Sequence, residues 1–565
     1  MSLMSALNIS SSALQVNTLG LQVVSNNISN VNTPGYTTQT LFQQSGPTYK
    51  SGTLTLGTGV QAVGIQQTTN EFLDASLREA IGDAEGSEIQ YQVYQQLEAI
   101  LGELGESDLS SYLSDFFSTL NEVANQPEST AVRNLAVQQG EALAGKINDM
   151  QRQSRTLQNE INTEIANSAD RINNLLQEID TLNSQISKLE GTNGGASAAT
   201  ALRDTRRTAL KELGSLLDIK TNELPTGAVN INTATGESLL FNGEINKLTT
   251  RSSTVDGQPR VDLAFESSGK ILNAQTGRIG GLQLARDGAL EEFLGGLESL
   301  TQNLIYQFNK IHSSGQGTTA FQSVSAQFNV SDSSKPLNQA SLAFPPSNGS
   351  FKIHVQDKET GQSTTADIYV TLGEAGGTSL DDLVNQLNEV PGLQASVDYR
   401  GQLTIESNDS NTQFFFSDDT SGALASLGIN NFFSGYNAST IGVSQNLKDN
   451  PTQLAVSNGG LGADSNNILQ LITLEDAQLG ELDGNSLRSH YEQIVGNVAQ
   501  QGAIAGDIAD GFRQYADTIE GQVLALGGVN LDEEAVKMMQ YQKAYQASAR
   551  VVQTVNEMFD VLINL

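Results

Sequence analysis

The chain has 565 residues, with 63 acidic against 30 basic side chains and a formal net charge of −33. Its pI near 4.3 leaves none of the basic footprint that nucleic-acid binding needs. Cysteine is absent, which excludes a disulfide frame and thiol chemistry, and no run approaches ~18 consecutive apolar residues, so no transmembrane helix is expected.

The first 49 residues carry no charged side chain, and Leu7, Leu14, Leu21 and Ile28 recur every seven residues. Val24 and Val31 sit three places later, and Ile9, Val16 and Val23 widen the stripe. This pattern predicts a helix with one apolar face. Met1 to Gly20 holds no Lys or Arg, and Ser and Asn interleave its apolar residues, so it lacks the n-region and h-region of a Sec signal peptide. Thr33 precedes Pro34, which disfavours helical dihedrals at Thr33, and Pro34-Gly35 suits the centre of a type II turn.

Tyr36 to Ile65 reads as extended and turn-rich, a connection into the next helix. Gly57-Thr58-Gly59-Val60-Gln61-Ala62 formally matches a dinucleotide-binding pattern, but that loop must open a helix, and Val60, Ala62 and Gly64 continue a strand-like alternation. Gln67-Thr68-Thr69-Asn70 supplies cap-forming residues before a helix over Asn70 to Leu101, whose period begins at Phe72, Leu73 and Leu77. A second helix is predicted over Ser107 to Asn125, and Pro127 suits a helix start. From Glu128 to Glu190 no proline or paired glycine interrupts. Ile147, Met150, Ser154, Leu157 and Ile161 keep one phase, and Ile172, Leu175, Ile179, Leu182, Ile186 and Leu189 keep another. The offset between the two phases is a stutter. The pattern predicts a long antiparallel bundle, ended by the Thr192-Asn-Gly-Gly-Ala-Ser loop.

Ala201 to Asp218 is a shorter helix. Val229, Ile231 and Thr233 then alternate, and Leu239, Leu240 and Phe241 cluster, which predicts a small β subdomain over about 219–275. Helical period returns at Gly280, with Leu290, Leu297, Leu304 and Ile311 in heptad spacing and Phe293 and Leu300 between them. Phe351, Ile353 and Val355 alternate, as do Ile368, Val370 and Leu372, and Leu403 and Ile405. Ser379 and Asp382 form a cap pair for a short helix to Glu389, and Arg400-Gly401 marks a hairpin turn. Helix resumes from about Ala463 to Leu526.

The last segment, Asn530 to Leu565, contains no Gly or Pro. Asn530 can cap it with Glu533 as reciprocal partner, and Asp532, Glu533 and Glu534 favour the positive end of the helix dipole. Leu531, Met538, Tyr545, Val552 and Phe559 recur every seven residues, with Tyr541, Ser548, Val555 and Leu562 three places later. Such a helix, ~50 Å long at ~1.5 Å per residue, is unstable alone with one apolar face. The stripe at the other terminus is its natural cover, so everything between the two is expected to be inserted into one coiled coil.

The run Asn26-Asn27-Ile28-Ser29-Asn30-Val31-Asn32-Thr33-Pro34-Gly35-Tyr36 resembles the N-terminal signature of the rod, hook and hook-associated axial proteins of the bacterial flagellum. Gly528-Val-Asn-Leu-Asp-Glu-Glu-Ala535 and Tyr541-Gln-Lys-Ala-Tyr-Gln-Ala-Ser-Ala549 resemble the matching C-terminal signature, in a form closest to the hook-associated members at the hook–filament junction. The resemblance implies a structural adaptor joining hook to filament, exported through the flagellar type III channel with an uncleaved N-terminus and placed outside the cell. Its partners would be its own copies in a helical axial assembly, hook protein, the second junction protein and filament, an export chaperone and the export apparatus. No nucleic acid, membrane insertion, cofactor, metal or catalytic residue is implied.

The assembly interface is expected at Leu7, Leu14, Leu21, Asn27, Ile28, Asn30, Pro34, Gly35 and Tyr36, facing Leu531, Met538, Tyr541, Tyr545, Val552, Val555, Phe559 and Leu562. The expected fold is mainly α with β inserts. It comprises a terminal coiled coil from 1–50 plus 527–565, a helical bundle from 51–321 plus 436–526, and an outer α+β insert over 322–435.

Two alternatives stand beside this reading: the hook or another axial protein, and a binding or enzymatic module displayed by residues 322–435. His312, His354 and His490 belong to no H-E-x-x-H motif, and no G-x-S-x-G elbow occurs. They read as a helix-end residue, an outward strand position and a surface helix position. The acidic loops Asp409-Ser-Asn-Thr and Asp418-Asp419 lack EF-hand spacing and read as solvated turns.

Overall fold

The computed structural model describes residues 3–51, 54–102, 108–193, 199–255, 257–373 and 376–563. Its helices are α1 (Leu3–Ser29), α2 (Glu71–Leu101), α3 (Leu109–Asn125), α4 (Thr130–Asn193), α5 (Thr200–Leu216), α6 (Gly277–Leu284), α7 (Glu291–Ser313), α8 (Leu380–Asn388), α9 (Ala423–Leu427), α10 (Gln445–Asp449), α11 (Asn466–Thr473), α12 (Leu487–Gly527) and α13 (Leu531–Ile563). The fold is mainly helical with small sheets inserted. The chain divides into two compact units, one of residues 1–92, 159–286 and 503–565, the other of 93–158 and 287–502.

In the first unit α1 and α13 pack along each other. The segment after α1 is extended and turn-rich, and its strands pair with each other. Strands β1 (Gln39–Ser45) and β4 (Val60–Gln67) pair antiparallel, from Gln39 opposite Gln67 to Ser45 opposite Val60. Between them β2 (Thr48–Ser51) and β3 (Leu54–Gly57) form a second hairpin. Val60, Ala62 and Gly64 lie in β4, so the glycine pattern before them opens no helix. Strands β5 (Ile219–Glu223), β6 (Val229–Thr233), β7 (Ser238–Phe241) and β8 (Glu244–Ile245) make a four-stranded sheet in sequence order, and β9 (Leu248–Val255) pairs with β10 (Gln258–Phe265). Val229, Ile231, Leu239 and Leu240 are buried there, whereas Phe241 is 53% exposed.

In the second unit α3 starts at an N-cap, Asp108, whose carboxylate accepts from the Ser111 amide at 2.9 Å. Pro127 does not begin the following helix. It lies in the preceding turn, where its carbonyl accepts from Arg133 Nε at 2.7 Å, and α4 begins at Thr130. The core joins Phe116 of α3, Phe308 of α7 and the pair Phe432–Phe433, with ring centroids 4.9 to 5.7 Å apart.

The β-rich part of this unit holds two three-stranded sheets: β11 (Ser323–Ser325), β15 (Leu403–Ser407) and β14 (Leu393–Val397) in one, β13 (Ser363–Val370), β12 (Gly349–Asp357) and β16 (Thr412–Ser417) in the other. Phe351, Ile353, Ile368, Val370, Leu403 and Ile405 fill its core as the alternation predicts, with Leu380, Leu383 and Leu387 of α8. Two short strands, β17 (Phe433–Ser434) and β18 (Gly442–Val443), pair after it.

Several boundaries differ from the sequence reading. Helix between 463 and 526 is interrupted: α11 ends at Thr473, Asp483 and Gly484 adopt positive φ of 54° and 81°, and α12 starts at Leu487. The helix expected from Gly280 begins at Gly277 and carries a π-helical stretch, Ala285–Leu290. The widened turn holds Arg286, almost fully buried, whose guanidinium donates to Asp262 at 2.7 Å and to the Val261 carbonyl at 2.6 Å. Leu189 and Phe72 point to solvent, 46% and 76% exposed, although both lie in phase with apolar neighbours. The helix α4 runs through Asn193, and residues 194–198 of the expected loop lie outside the described residues.

Candidate assembly site

The site is built where the two terminal helices meet. Asn27 of α1 bonds Glu534 of α13, and Gly20 lies against Tyr541, so the helices run antiparallel. On α1 the fully buried face is Val16, Gly20, Val23, Val24 and Asn27. Leu7, Leu14, Leu21 and Ile28 flank that face and are half-buried. The physical reason is that α1 also covers β1 and β4, so its buried face is turned partly toward them. On α13 Glu534 and Val555 are buried, and Met538, Tyr541, Ser548, Val552 and Phe559 are half-buried. Leu531, Tyr545 and Leu562 are exposed by 50%, 42% and 59%.

The turn after α1 closes as its residues require. The Tyr36 amide donates to the Thr33 carbonyl at 3.2 Å, and Gly35 takes φ of 76°, the combination of a type II turn with glycine at its third position. The Asn30 side chain folds back and donates to the Asn26 carbonyl at 2.9 Å, beside the bond from the Asn30 amide to the same oxygen at 3.1 Å.

Asn27 is the centre of this end of the pair. Its Nδ2 donates to the Gln39 carbonyl at 2.9 Å and to Glu534 Oε2 at 2.9 Å. Its Oδ1 accepts from the Tyr36 hydroxyl at 2.7 Å and the Gln39 amide at 3.1 Å. Every hydrogen-bonding position of this buried amide is therefore used, which removes the cost of burying it. Glu534 also pairs with Lys537 at 2.7 Å. Burial, followed by the nearby Asp204 and Glu534 charges, pushes the Tyr36 phenol up to about 12, so it stays a donor to Asn27 throughout the neutral range.

A second network clamps the turn. Asp204 of α5 accepts from Thr37 Oγ1 at 2.8 Å and from Arg207 at 2.8 Å, and Arg207 pairs with Asp74 at 3.1 Å. Burial pushes the Asp204 carboxyl up, and the bonds from Thr37 and Arg207 oppose that shift. Thr38 donates its amide to the Gly527 carbonyl at 2.8 Å and its hydroxyl to the Gly528 carbonyl at 2.7 Å. A cleft of about 400 Å³ lies beside the turn, walled by Pro34, Tyr36, Arg78, Leu524 and Leu526 among others. Sequence reasoning missed Gln39, Asp204, Arg207 and Gly20. Gly20 alone left a signal: a glycine inside an apolar stripe marks a close approach.

The three histidines occupy different settings from one another. His312 sits in the last turn of α7, as its position in the sequence suggests. It is fully buried, its Nδ1 bonded to the Asn430 carbonyl at 2.8 Å and its Nε2 accepting from the Ala455 amide at 3.1 Å. His354 stacks on Phe415 at 4.7 Å and bonds Ser417 and Thr365. His490 is half-buried on α12. Asp409 closes a turn by accepting from the Asn411 and Thr412 amides, both at 2.8 Å. Asp419 is no solvated turn: it is buried and accepts from the amides of Ser421, Gly422 and Leu424 at 2.8 to 2.9 Å.

Comparison with known proteins meets these features at each end and in the middle. Residues 7–37 match the family described as "Flagella basal body rod protein", and residues 522–565 match "Flagellar basal body rod FlgEFG protein C-terminal". Residues 94–325 match "Flagellar hook-associated protein FlgK helical domain", and residues 350–409 match "Flagellin hook IN motif". Along most of its length the chain is thus similar to proteins of the bacterial flagellum, and over 94–325 to the helical domain of the hook-associated protein. It is 27% identical to flagellar hook-associated protein 1 of Salmonella typhimurium over 99% of this chain and 100% of that one. To the protein of that name from Bacillus subtilis it is 23% identical, over 98% and 96%. The solved structure of the flagellar hook junction protein FlgK from Burkholderia pseudomallei shares the fold, with a TM-score of 0.50 at 14% identity over 79% of this chain and 99% of that one. The two signature segments of the family thus coincide with the antiparallel pair and its clamped turn.

Proposed function

We propose that this protein is the structural adaptor that joins the flagellar hook to the filament. The observation that carries this reading is the α1–α13 pair, which brings both signature segments together and leaves apolar side chains outward. Leu531, Met539, Tyr545, Met558, Leu562 and Ile563 are exposed on α13. Exposed apolar side chains gathered on one helix mark an interaction surface, and an axial subunit buries such a surface against its neighbours. The two polar clamps fix the turn between α1 and β1, so that outer face is offered in one geometry. Asn30, Pro34 and Gly35, with the exposed residues of the two stripes, belong to that contact surface.

The partners on this reading are further copies of the chain, the hook protein, and the second junction protein with the filament above it. The chain reaches them through the flagellar type III channel, handed over by an export chaperone. The terminal pair is one part of the protein, the helical bundle a second, and residues 322–435 an outer insert that is not needed for the junction. The role is structural rather than catalytic. The test is to label the protein in a flagellated strain that lacks its own copy. A single focus at the distal end of each hook, with restored filaments, is expected. Label spread along the hook would favour a hook subunit and overturn the assignment.

A further inference from the structure

The heptads that meet in the α1–α13 pair are not interchangeable. At one rung Asn27 and Glu534 are buried together, and seven residues along each helix Gly20 faces Tyr541. A Cβ on Gly20 would sit 2.5 Å from Tyr541 Cε1, so the glycine is the hole that the ring fills. We infer that these two rungs are a register lock, the specificity determinant that allows the terminal helices of an axial subunit to pair in one alignment only. This rests on the assembly reading above.

The argument is one of mismatched alternatives. Most of the stripe is apolar or small, and an apolar seam tolerates a slip of one heptad. The two rungs do not. Slipping α13 so that Asn27 faces Tyr541 removes the Glu534 carboxylate from the Asn27 amide. It also leaves that buried amide without one of its partners, at a cost characteristic of unsatisfied polar groups. The same slip sets the Tyr541 ring against a residue with a side chain, where no hole exists, and places the Gly20 hole opposite Ser548. A single buried polar pair is known to fix register in this way. The device matters for a subunit that folds its ends among many copies carrying the same two stripes. A slipped or exchanged pair would present the outer apolar face out of step with its neighbours.

The competing source of register is the hydrogen-bonded tether at the start of α13. Thr38 holds Gly527 and Gly528 beside the turn, and this tether could fix the start of α13 without help from the rungs. The experiment separates the two. The chain has no native cysteine, so introduced pairs report alone. Continuing the antiparallel spacing one more heptad places Ala13 opposite Ser548, and a one-heptad slip places Ala13 opposite Val555. Two reporters are made, Ala13→Cys with Ser548→Cys and Ala13→Cys with Val555→Cys. Each is placed in the otherwise native chain, in a chain carrying Glu534→Leu and Tyr541→Leu, and in one carrying the conservative Glu534→Gln. Oxidation is read on flagella sheared from cells and on the secreted protein, with helix content checked by circular dichroism.

With the lock intact, only the first reporter should form an intramolecular disulfide. With both rungs replaced by leucine, helix content should persist, and the second reporter should rise at least fivefold, with intermolecular adducts beside it. Glu534→Gln, which keeps a hydrogen-bonding partner for Asn27, should behave as the native chain. Exclusive formation of the first disulfide in the leucine variant would overturn the lock and assign register to the tether. Mixed registers in the otherwise native chain would overturn it as well. Failure of all variants to enter flagella, with the register pattern intact in secreted protein, would count against the assembly reading and leave the lock standing.

Discussion

At the scale of single residues, the seam is decided by which side chains lose water. The heptad pattern placed Val552, Val555 and Phe559 on one face, and the structure buries Val555 most deeply, at 5% exposure. Val555→Asp puts an unpaired carboxylate there, which costs on the order of 3–5 kcal/mol. The variant should be secreted but not incorporated, and filaments should be missing. Normal filaments from the Val555→Asp strain would show that this face of α13 is not buried in the working assembly. His312 makes a second residue-scale prediction. Burial, opposed by its bond to the Asn430 carbonyl, pulls its imidazole from 6.5 to about 4. The folded state therefore binds fewer protons than the unfolded chain between those values, and stability falls as pH drops through them. The loss should reach on the order of 3 kcal/mol near the lower limit. Thermal melts of native protein and His312→Gln, compared from pH 7 to 4, should show a steeper decline for the native chain. Parallel curves would place the pH dependence elsewhere. His312 was legible only as a helix-end position, because the groups that bury it, Asn430 and Ala455, are 118 and 143 residues away.

At the scale of elements, local chemistry was readable wherever the deciding partner was close in sequence. The cap at α8 is one such case. Ser379 accepts from the Asp382 amide at 3.1 Å, and Asp382 accepts in return from the Ser379 amide at 2.9 Å. Ser379→Ala removes one half of this reciprocal cap and should cost ~1 kcal/mol, measured as a lower urea midpoint with an unchanged slope. A midpoint equal to that of the native chain would mean that core packing by Leu380, Leu383 and Leu387 holds the helix start unaided. The Pro34-Gly35 stop and the alternation of β12 and β13 were readable for the same reason. The β1–β4 pairing was not, because its partners lie up to 28 residues apart, Gln39 opposite Gln67, with a second hairpin between them. Nor was the π-helical stretch at Ala285–Leu290, which carries a buried guanidinium bonded to Asp262 on another element. The full apolar stripe of α1 was visible, but not which part of it faces α13, since the share taken by β1 and β4 depends on a pairing the sequence pattern does not announce.

At the scale of the whole molecule, the terminal pair buries only part of its apolar stripe in a free subunit, between α1 and α13 and against β1 and β4. Each apolar side chain gains ~1.5–3 kcal/mol only when fully buried, many on α13 stay exposed, and chain entropy opposes ordering. Hydrogen exchange on secreted monomer should therefore be fast over residues 3–50 and 530–563 and slow after assembly. Slow exchange there in the monomer would show that the pair is complete before incorporation.

The outer insert makes the last test. Its strands share a core of their own, which an insertion needs if the rest is to close without it. The point of division matters, however. A cut from Gln327 to Gly435 follows the sequence pattern but takes away Phe432 and Phe433, which pack on Phe116 and Phe308. Losing large buried aromatics costs ~3–5 kcal/mol each, so that deletion should lower the thermal transition of the helical part. A cut from Gln322 to Thr412 is different. Phe321 and Phe414 already exchange backbone hydrogen bonds of 2.8 and 2.9 Å, so a short Gly-Ser turn can join the ends. Phe414→Thr and Phe416→Thr then reduce the apolar surface left beside Phe321, Leu424, Leu427 and Ile429. This second deletion should hold the native transition and restore motility to a strain lacking its own copy. Immotile cells that secrete a folded form of it would show that the insert makes an essential contact, and would move the adaptor surface outward from the terminal pair.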